Sequence, residues 1–182
     1  MNILNHNPTT WNPYRVPAEM TDQERRALAF LLPLSADYPG IDRWFVLKVV
    51  PGLRRGTRYL LPMERDGVLV GLGIAKKEED ERKICTVRVA PSYAGRGMGV
   101  RLFDGLLKWL DDDRPHLTVT QGRLPAFERI FDYYGFAVTS AEQGLYVPHA
   151  VELGYNGAAL APCSQRGAKD RFSLVHQEAC RV

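Results

Sequence analysis

Apolar and polar residues repeat with two periods along the chain, and each change of period marks an element. From Thr21 the spacing is helical: Thr21 and Glu24 stand at capping-box distance, Leu28, Leu31 and Leu32 follow, and Pro33 ends the run. A second helix is predicted from Asp42, as N-cap, to Val50. Its apolar residues (Ile41, Trp44, Phe45, Leu47, Val49) are too crowded for one stripe, so it should be well buried, with Pro51-Gly52 as its stop. Period two then takes over. Residues 58–63 and 68–75 are β-rich runs joined by Glu64-Arg65-Asp66-Gly67, and an Asp-Gly turn between such runs predicts a hairpin. Gly71 and Gly73 within the second run point to a bulge or a close backbone approach. Residues 84–89 make a third strand, with Val87 and Val89 alternating with Thr86 and Arg88.

Helical spacing returns after Ala94-Gly95-Arg96-Gly97-Met98-Gly99. The stripe is Gly99 or Val100, Leu102, Phe103, Leu106, Leu107 and Leu110, and residues 111–115 close it. A short strand is expected at 116–120. A helix follows at 124–134, with Pro125 in its first turn and Gly135 at the left-handed cap position. Strands at 136–139 and 145–149 complete the pattern. The order predicts a mixed α/β fold with a central sheet flanked by helices. Residues 1–20 read as a loose arm, 21–156 as one domain, and 157–182 as a polar tail or small appendage.

Composition narrows the setting. The chain has 182 residues, 45% of them hydrophobic, which suits one packed domain. No apolar run approaches the ~18–20 residues of a membrane span, and residues 1–30 lack the pattern of a signal peptide. A cytoplasmic location and no membrane partner are therefore expected. Lys and Arg number 24 against 21 Asp and Glu, a net charge of +3, so charge alone does not indicate nucleic acid. Three cysteines (Cys85, Cys163, Cys180) give no disulfide framework. Cys85 is expected on the strand face of Val87 and Val89, as a buried inert thiol. His149, Cys163, His176 and Cys180 fit no compact zinc spacing, so no metal is expected. Lys76 to Lys83 is an unbroken charged run that reads as a solvated hairpin loop, and Arg54, Arg55 and Arg58 read as a solvated loop as well.

The chemistry concentrates where the third strand turns into the third helix. Gly95, Gly97 and Gly99 keep side chains out of a ligand's way. N–H groups at a helix start lack helical partners and carry partial positive charge, which suits a phosphate or pyrophosphate; Arg96 adds a full charge. The loop is neither a Walker motif, lacking Gly-Lys-Ser/Thr, nor a dinucleotide fingerprint, since its last glycine spacing is wrong.

Residues 87–99 (VRVAPSYAGRGMG) resemble motif A of the GNAT superfamily, the GCN5-related N-acetyltransferases: a strand, a loop of the form Arg/Gln-x-x-Gly-x-Gly/Ala, and a helix that grips the coenzyme A pyrophosphate. Residues 127–136, ending Tyr134-Gly135-Phe136, are similar to motif B, a helix closed by an aromatic-Gly-Phe step. The resemblance covers residues 21–149. It implies the GNAT fold, a mixed, mostly antiparallel sheet splayed between the family's strands 4 and 5, which are residues 84–89 and 116–120 here. It implies acetyl-CoA as cosubstrate and direct acetyl transfer to an amine within a ternary complex.

By position, Val87 and Val89, flanking Arg88, would offer backbone groups to the pantetheine arm, and a donor near Val89 would steady the oxyanion. Ala94, Gly95, Arg96, Gly97, Met98, Gly99 and Val100 would hold the pyrophosphate. Two residues depart from the family pattern. Ala94 replaces the first Arg/Gln of motif A. Phe131 stands where many members carry the tyrosine that protonates the leaving thiolate. Tyr134 and Tyr133 are the candidate acids in its place, alongside transfer without a dedicated acid. The base is unassigned among Glu64, Glu81, Glu128, Asp132 and His116. The acceptor is an amine of unassigned class: a small molecule, a protein or an aminoacyl-tRNA. The rival readings are a catalytically inactive CoA-binding sensor or scaffold, and an acetyltransferase acting on tRNA or another nucleic-acid-linked amine. Members of the superfamily often dimerise, and a homodimer is compatible with the sequence.

Overall fold

The structure is a computed structural model and describes residues 20–157. Helix α1 (Asp22–Leu31) opens with the predicted capping box: the Glu24 N–H donates to Thr21 Oγ1 at 3.2 Å, and the Thr21 N–H donates to Glu24 Oε2 at 2.7 Å. The second helical region departs from expectation at both ends. Gly40 (φ 81°), not Asp42, is the N-cap of α2 (Ile41–Trp44). Pro51 does not stop the helix. A π-helical stretch, Phe45–Val49, leads into α3 (Val50–Arg55), and Pro51 sits in the first turn of α3. Gly56 (φ 72°) ends α3.

Strands β1 (Arg58–Arg65), β2 (Val68–Lys77) and β3 (Arg82–Val89) form an antiparallel sheet in that order. The β1–β2 turn uses Asp66 (φ 50°) and Gly67 (φ 75°), both left-handed, as a tight hairpin requires. After β3 come α4 (Met98–Leu110), β4 (Leu117–Thr120), a 3₁₀ segment at Gln121–Ala126, α5 (Glu128–Tyr134), β5 (Val138–Gln143) and β6 (Val151–Tyr155). The second sheet has the order β4-β6-β5, also antiparallel. Pro125 therefore lies in the 3₁₀ segment and not in α5. The last two strands fall later than predicted: residues 145–149 lie in the turn region between β5 and β6, and Val151–Tyr155 takes the place beside β4.

One parallel bridge, Lys83 to His116, joins the sheets. The Ile84 N–H donates to the His116 carbonyl at 3.0 Å and the His116 N–H to the Arg82 carbonyl at 2.9 Å. Among the described residues no further ladder bond connects β3 to β4. The two strands are pinned at this end and part toward Val89 and Thr120, which is the splay.

Two apolar clusters cover the two faces. Leu102, Phe103, Leu106 and Leu110 of α4 pack with Ala75, Ile84 and Val87, and with Phe131 of α5. Leu28 and Leu31 of α1, Ile41, Phe45 and Val49 pack with Leu72, Ile74 and Cys85 on the other side. The strand glycines serve close approach: a Cβ on Gly73 would stand 2.9 Å from Leu106 Cδ1.

A bulge decides which side each β3 residue serves. The β2–β3 register steps from Ile74↔Thr86 to Ala75↔Ile84, so that Cys85 is the extra residue of the bulge. Cys85 consequently packs in the α1-side cluster and not with Val87, which corrects the expected shared face. There Arg58 Nη1 donates to its sulfur at 3.3 Å. Arg58 is no solvated loop residue: it is 4% exposed and stacks over Trp44. Arg54 pairs with the buried Glu24 carboxylate.

The charged run is a solvated hairpin loop only in its middle, where Glu78, Glu79 and Asp80 are exposed between β2 and β3. Lys76 and Lys83 are buried at its two ends, with the Glu81 carboxylate between them. Lys76 Nζ lies 2.6 Å from Glu81 Oε2, and Lys83 Nζ and His116 Nδ1 each lie 3.8 Å from Oε1. The His116 imidazole first, then Lys76 and Lys83, hold the Glu81 carboxyl down at about 2. This cluster sits at the pinned end of the splay.

Candidate active site

The chain leaves β3 through Ala90 in extended conformation, makes a short 3₁₀ turn at Pro91–Tyr93, and enters α4 through Gly95 (φ 72°) and Gly97 (φ 73°). Only glycine adopts both conformations without strain. Gly97 is the N-cap of α4, and the first helical bond runs from the Arg101 N–H to the Gly97 carbonyl at 3.2 Å. The N–H groups of Met98, Gly99 and Val100 thus precede the helix's own bonding. Among the described residues none of the N–H groups from Gly95 to Val100 meets an acceptor. Residues 94–97 are exposed, while the Met98 side chain is buried, so Met98 can offer a ligand only its backbone. The Arg96 guanidinium lies over the Tyr93 ring at 5.5 Å.

This loop walls one side of a cleft of ≈ 530 Å³ at the open end of the splay. Val87, Arg88 and Val89 form its floor, and Ala94, Gly95, Gly97, Gly99 and Val100 its phosphate-sized end. Phe127, Arg129 and Ile130 close it from the 121–134 segment, and Pro33, Leu34 and Tyr38 from the turn after α1. The structure therefore brings Val87, Arg88, Val89, Ala94, Gly95, Gly97, Gly99 and Val100 to one cleft, while Arg96 and Met98 do not line it. It does so with Gly99 so near α5 that a Cβ there would meet Ile130 Cδ1 at 2.8 Å.

The two candidate tyrosines are elsewhere. Tyr133 and Tyr134 line a separate groove along the exposed side of α4, with Asp104 and Lys108. The Tyr134 hydroxyl donates to Asp104 Oδ1 at 2.6 Å, and its ring stacks on Phe103 and Phe136. Burial, then the Asp104 carboxylate, pushes the phenol's pKa up. Tyr133 is 73% exposed. Phe131 is buried and stacks on Phe127, which does line the cleft.

None of Glu64, Glu81, Glu128, Asp132 and His116 lines the cleft; Glu81 and His116 lie at the pinned end, and Glu64 pairs with Arg26. Among the described residues no group of His, Cys, Asp and Glu could hold a metal, and Cys163, His176 and Cys180 lie outside the described residues.

Sequence reading missed the cleft's far wall. Tyr38 is 2% exposed and meets the Tyr146 ring edge-on at 5.9 Å. Arg123, in the segment after β4, pairs with Asp37, so the turn after α1 is strapped to the turn after β4 across the cleft. A helix-breaking Ser-Ala-Asp-Tyr-Pro-Gly stretch carries no signal of what it will cover.

A family model described as the acetyltransferase (GNAT) domain matches residues 51–145, just over half of the chain. The chain belongs to this family. Solved structures agree on the fold of this GNAT domain. An aminoglycoside 6′-N-acetyltransferase complexed with coenzyme A is similar at a TM-score of 0.57 and 12% identity, over 77% of this chain and 92% of that one. An acetyltransferase of the GNAT family from Streptococcus pneumoniae gives 0.56 and 16%, over 74% and 94%. The ribosomal-protein-S18-alanine N-acetyltransferase from Escherichia coli gives 0.51 and 17%, over 59% and 73%. No curated protein matches the chain in sequence. Among the described residues no helix is long and apolar enough to cross a membrane.

Proposed function

We propose that this GNAT protein is an acetyl-CoA-dependent N-acetyltransferase that moves the acetyl group to an amine by direct attack in a ternary complex. The observation that carries the reading is the row of N–H groups from Gly95 to Val100 that meet no acceptor among the described residues, at the end of a cleft floored by Val87 and Val89. Such a row suits a diphosphate. The parted strand edge of β3 then offers the pantetheine arm backbone partners, and leads the thioester to the open end of the splay. Acetyl-CoA supplies the activated acyl group. The chain orients it and keeps a backbone donor near Val89 for the developing oxyanion. The amine enters from the side of α1 and the turn after it. With Phe131 in place of the usual tyrosine and Tyr134 bonded to Asp104, the thiolate leaves without a dedicated protein acid; a thiolate is a good enough leaving group for this.

The test is calorimetric titration with acetyl-CoA, followed by thiol release with a panel of amines. Tight binding with amine-dependent release supports transfer. No binding sinks the reading. Binding with no turnover on any amine favours the second reading, a CoA-binding sensor, for which the replacement of the tyrosine by Phe131 is the specific observation. Homodimerisation and a cytoplasmic setting belong to the same proposal and are read by sedimentation and fractionation.

A further inference from the structure

The acceptor end of the cleft has an uneven charge. Once the loop of residues 94–100 is given to the cofactor's phosphates, what remains is Pro33, Leu34 and Tyr38 on one side, Phe127 on the other, and three arginines, Arg88, Arg123 and Arg129. Among the described residues no aspartate or glutamate lines the cleft. Asp37 and Glu128 adjoin lining residues in sequence; Asp37 is held by Arg123, and Glu128 does not line the cleft. Glu152, opposite Thr120 at the open end of β4, is closed off at 3% exposure.

Of these three, Arg123 is paired with Asp37 and Arg129 is exposed, whereas Arg88 is half-buried. Its register with Leu72 turns it to the α1 side of the sheet, away from the cofactor loop. Its partners are the Phe30 carbonyl and the Phe30 ring, 4.4 Å from the guanidinium carbon; neither carries charge. Among the described residues no carboxylate pairs with it. Burial lowers its pKa, so a counter-charge beside it would be favourable. One Arg nitrogen is committed to Phe30, and a guanidinium has five N–H donors in all. Donors therefore remain to meet an anion.

We infer that the acceptor is a compact amine carrying its own anionic group, a carboxylate or a phosphate, which Arg88 binds while the amine faces the thioester. This rests on the acetyltransferase reading and narrows it. The strap from Asp37 to Arg123 and the walls of Pro33, Leu34, Tyr38 and Phe127 favour a small, partly apolar body over a polymer. A polycation gains nothing here: its ammonium groups would meet arginine and no acid.

Matched pairs test this directly on the whole chain. Thiol release is measured for phenylalanine against phenylalanine amide and phenethylamine, for O-phosphoethanolamine against ethanolamine, and for spermidine as a polycation. The anionic member of at least one pair is expected to exceed its uncharged or cationic partner by about tenfold or more in kcat/KM, the scale of one charge-assisted hydrogen bond. The pair that responds tells carboxylate from phosphate. Arg88→Gln should erase the preference, mainly through KM for the amine, and Arg88→Lys should keep part of it. Turnover of the uncharged or cationic partner at least as fast as the anionic member in both sets, faster turnover of spermidine, or a preference unchanged in Arg88→Gln, overturns the inference. So does acetyl-CoA binding without turnover of any anionic amine. Loss of acetyl-CoA binding in the unmodified chain would instead overturn the acetyltransferase reading. The wild-type comparison stands even if Arg88→Gln fails to fold through loss of its tie to α1.

Discussion

Gly97 shows how one residue's backbone angle sets a binding function. It caps α4 at φ 73°, with nothing within 4 Å of where a Cβ would be. Space is not the issue there; conformation is. Gly97→Ala should cost about 1–2 kcal/mol of stability from left-handed strain alone. It should also weaken acetyl-CoA binding, because relaxing φ swings the N–H groups of the loop. Thermal unfolding with and without acetyl-CoA separates the two: the ligand-induced rise in Tm should shrink by more than the apo Tm falls.

Tyr134 is the converse case, a residue with reactive chemistry in a supporting place. Removing its hydroxyl in Tyr134→Phe gives up the bond to Asp104 and a weaker one to the Val100 carbonyl at 3.2 Å. The expected result is a loss of about 1 kcal/mol of stability, with thiol release within about threefold of wild type. A general acid would be worth roughly a hundredfold or more. A pH–rate profile of the variant checks the same point, since losing an acid would flatten its alkaline limb.

Among elements, the contact of α4 with β2 is close, and it depends on small residues. Gly71, Gly73 and Ala75 face the helix, and Leu106 lies against Gly73 with three carbon atoms at 2.9–3.2 Å from a notional Cβ. Leu106 is fully buried and has nowhere to go. Gly73→Val should therefore destabilise by about 1–3 kcal/mol through overpacking, read as a lower urea midpoint at unchanged slope.

Elements set by local chemistry were legible in the sequence. The Thr21/Glu24 box, the Asp66-Gly67 turn, the stripe of α4 and the Gly135 cap all rest on residues within a few positions of one another. Elements set by distant partners were not. Leu145, Tyr146 and Val147 have strand-like content, yet the place beside β4 goes to Val151–Tyr155. The register that admits one and excludes the other is fixed by pairing across more than thirty residues. The continuation of the second helical region through Pro51 was hidden for a related reason: a π-helical stretch has no sequence signature comparable to a cap. At the site, the glycine loop was readable because its function is carried by its own backbone. The strap and the far wall were not, because Asp37 and Arg123 meet only in the folded chain.

Over the whole molecule, the two sheets meet at one bridge, and the groups around it titrate. Glu81 is held at about 2, well below an ordinary carboxyl at 4.5. A depressed carboxyl contributes stability above its unfolded value, and that contribution fades as pH falls from about 4.5 toward 2. The wild-type protein should lose stability across that window, and Glu81→Gln should show a flatter acid limb with a lower plateau near neutral pH. Denaturant melts at several pH values measure both. Since Lys76, Lys83 and His116 converge on the same carboxylate, the variant should also loosen the pinned end. Faster amide exchange at Ile84 and His116, whose N–H groups make the inter-sheet bonds, would report it.

The extra residue at Cys85 has a consequence for inheritance of function along the strand. Neighbours on a strand face opposite ways in any case; the step at Cys85 decides which of Val87 and Arg88 faces which way. A chain shortened by one residue at that point would keep every other side chain and exchange their assignments: the guanidinium would turn toward α4's packed face, and a valine would take the α1 side. The parity of one strand thus decides which side of the sheet receives the charge, and a deletion there should damage this protein more than most substitutions on either face.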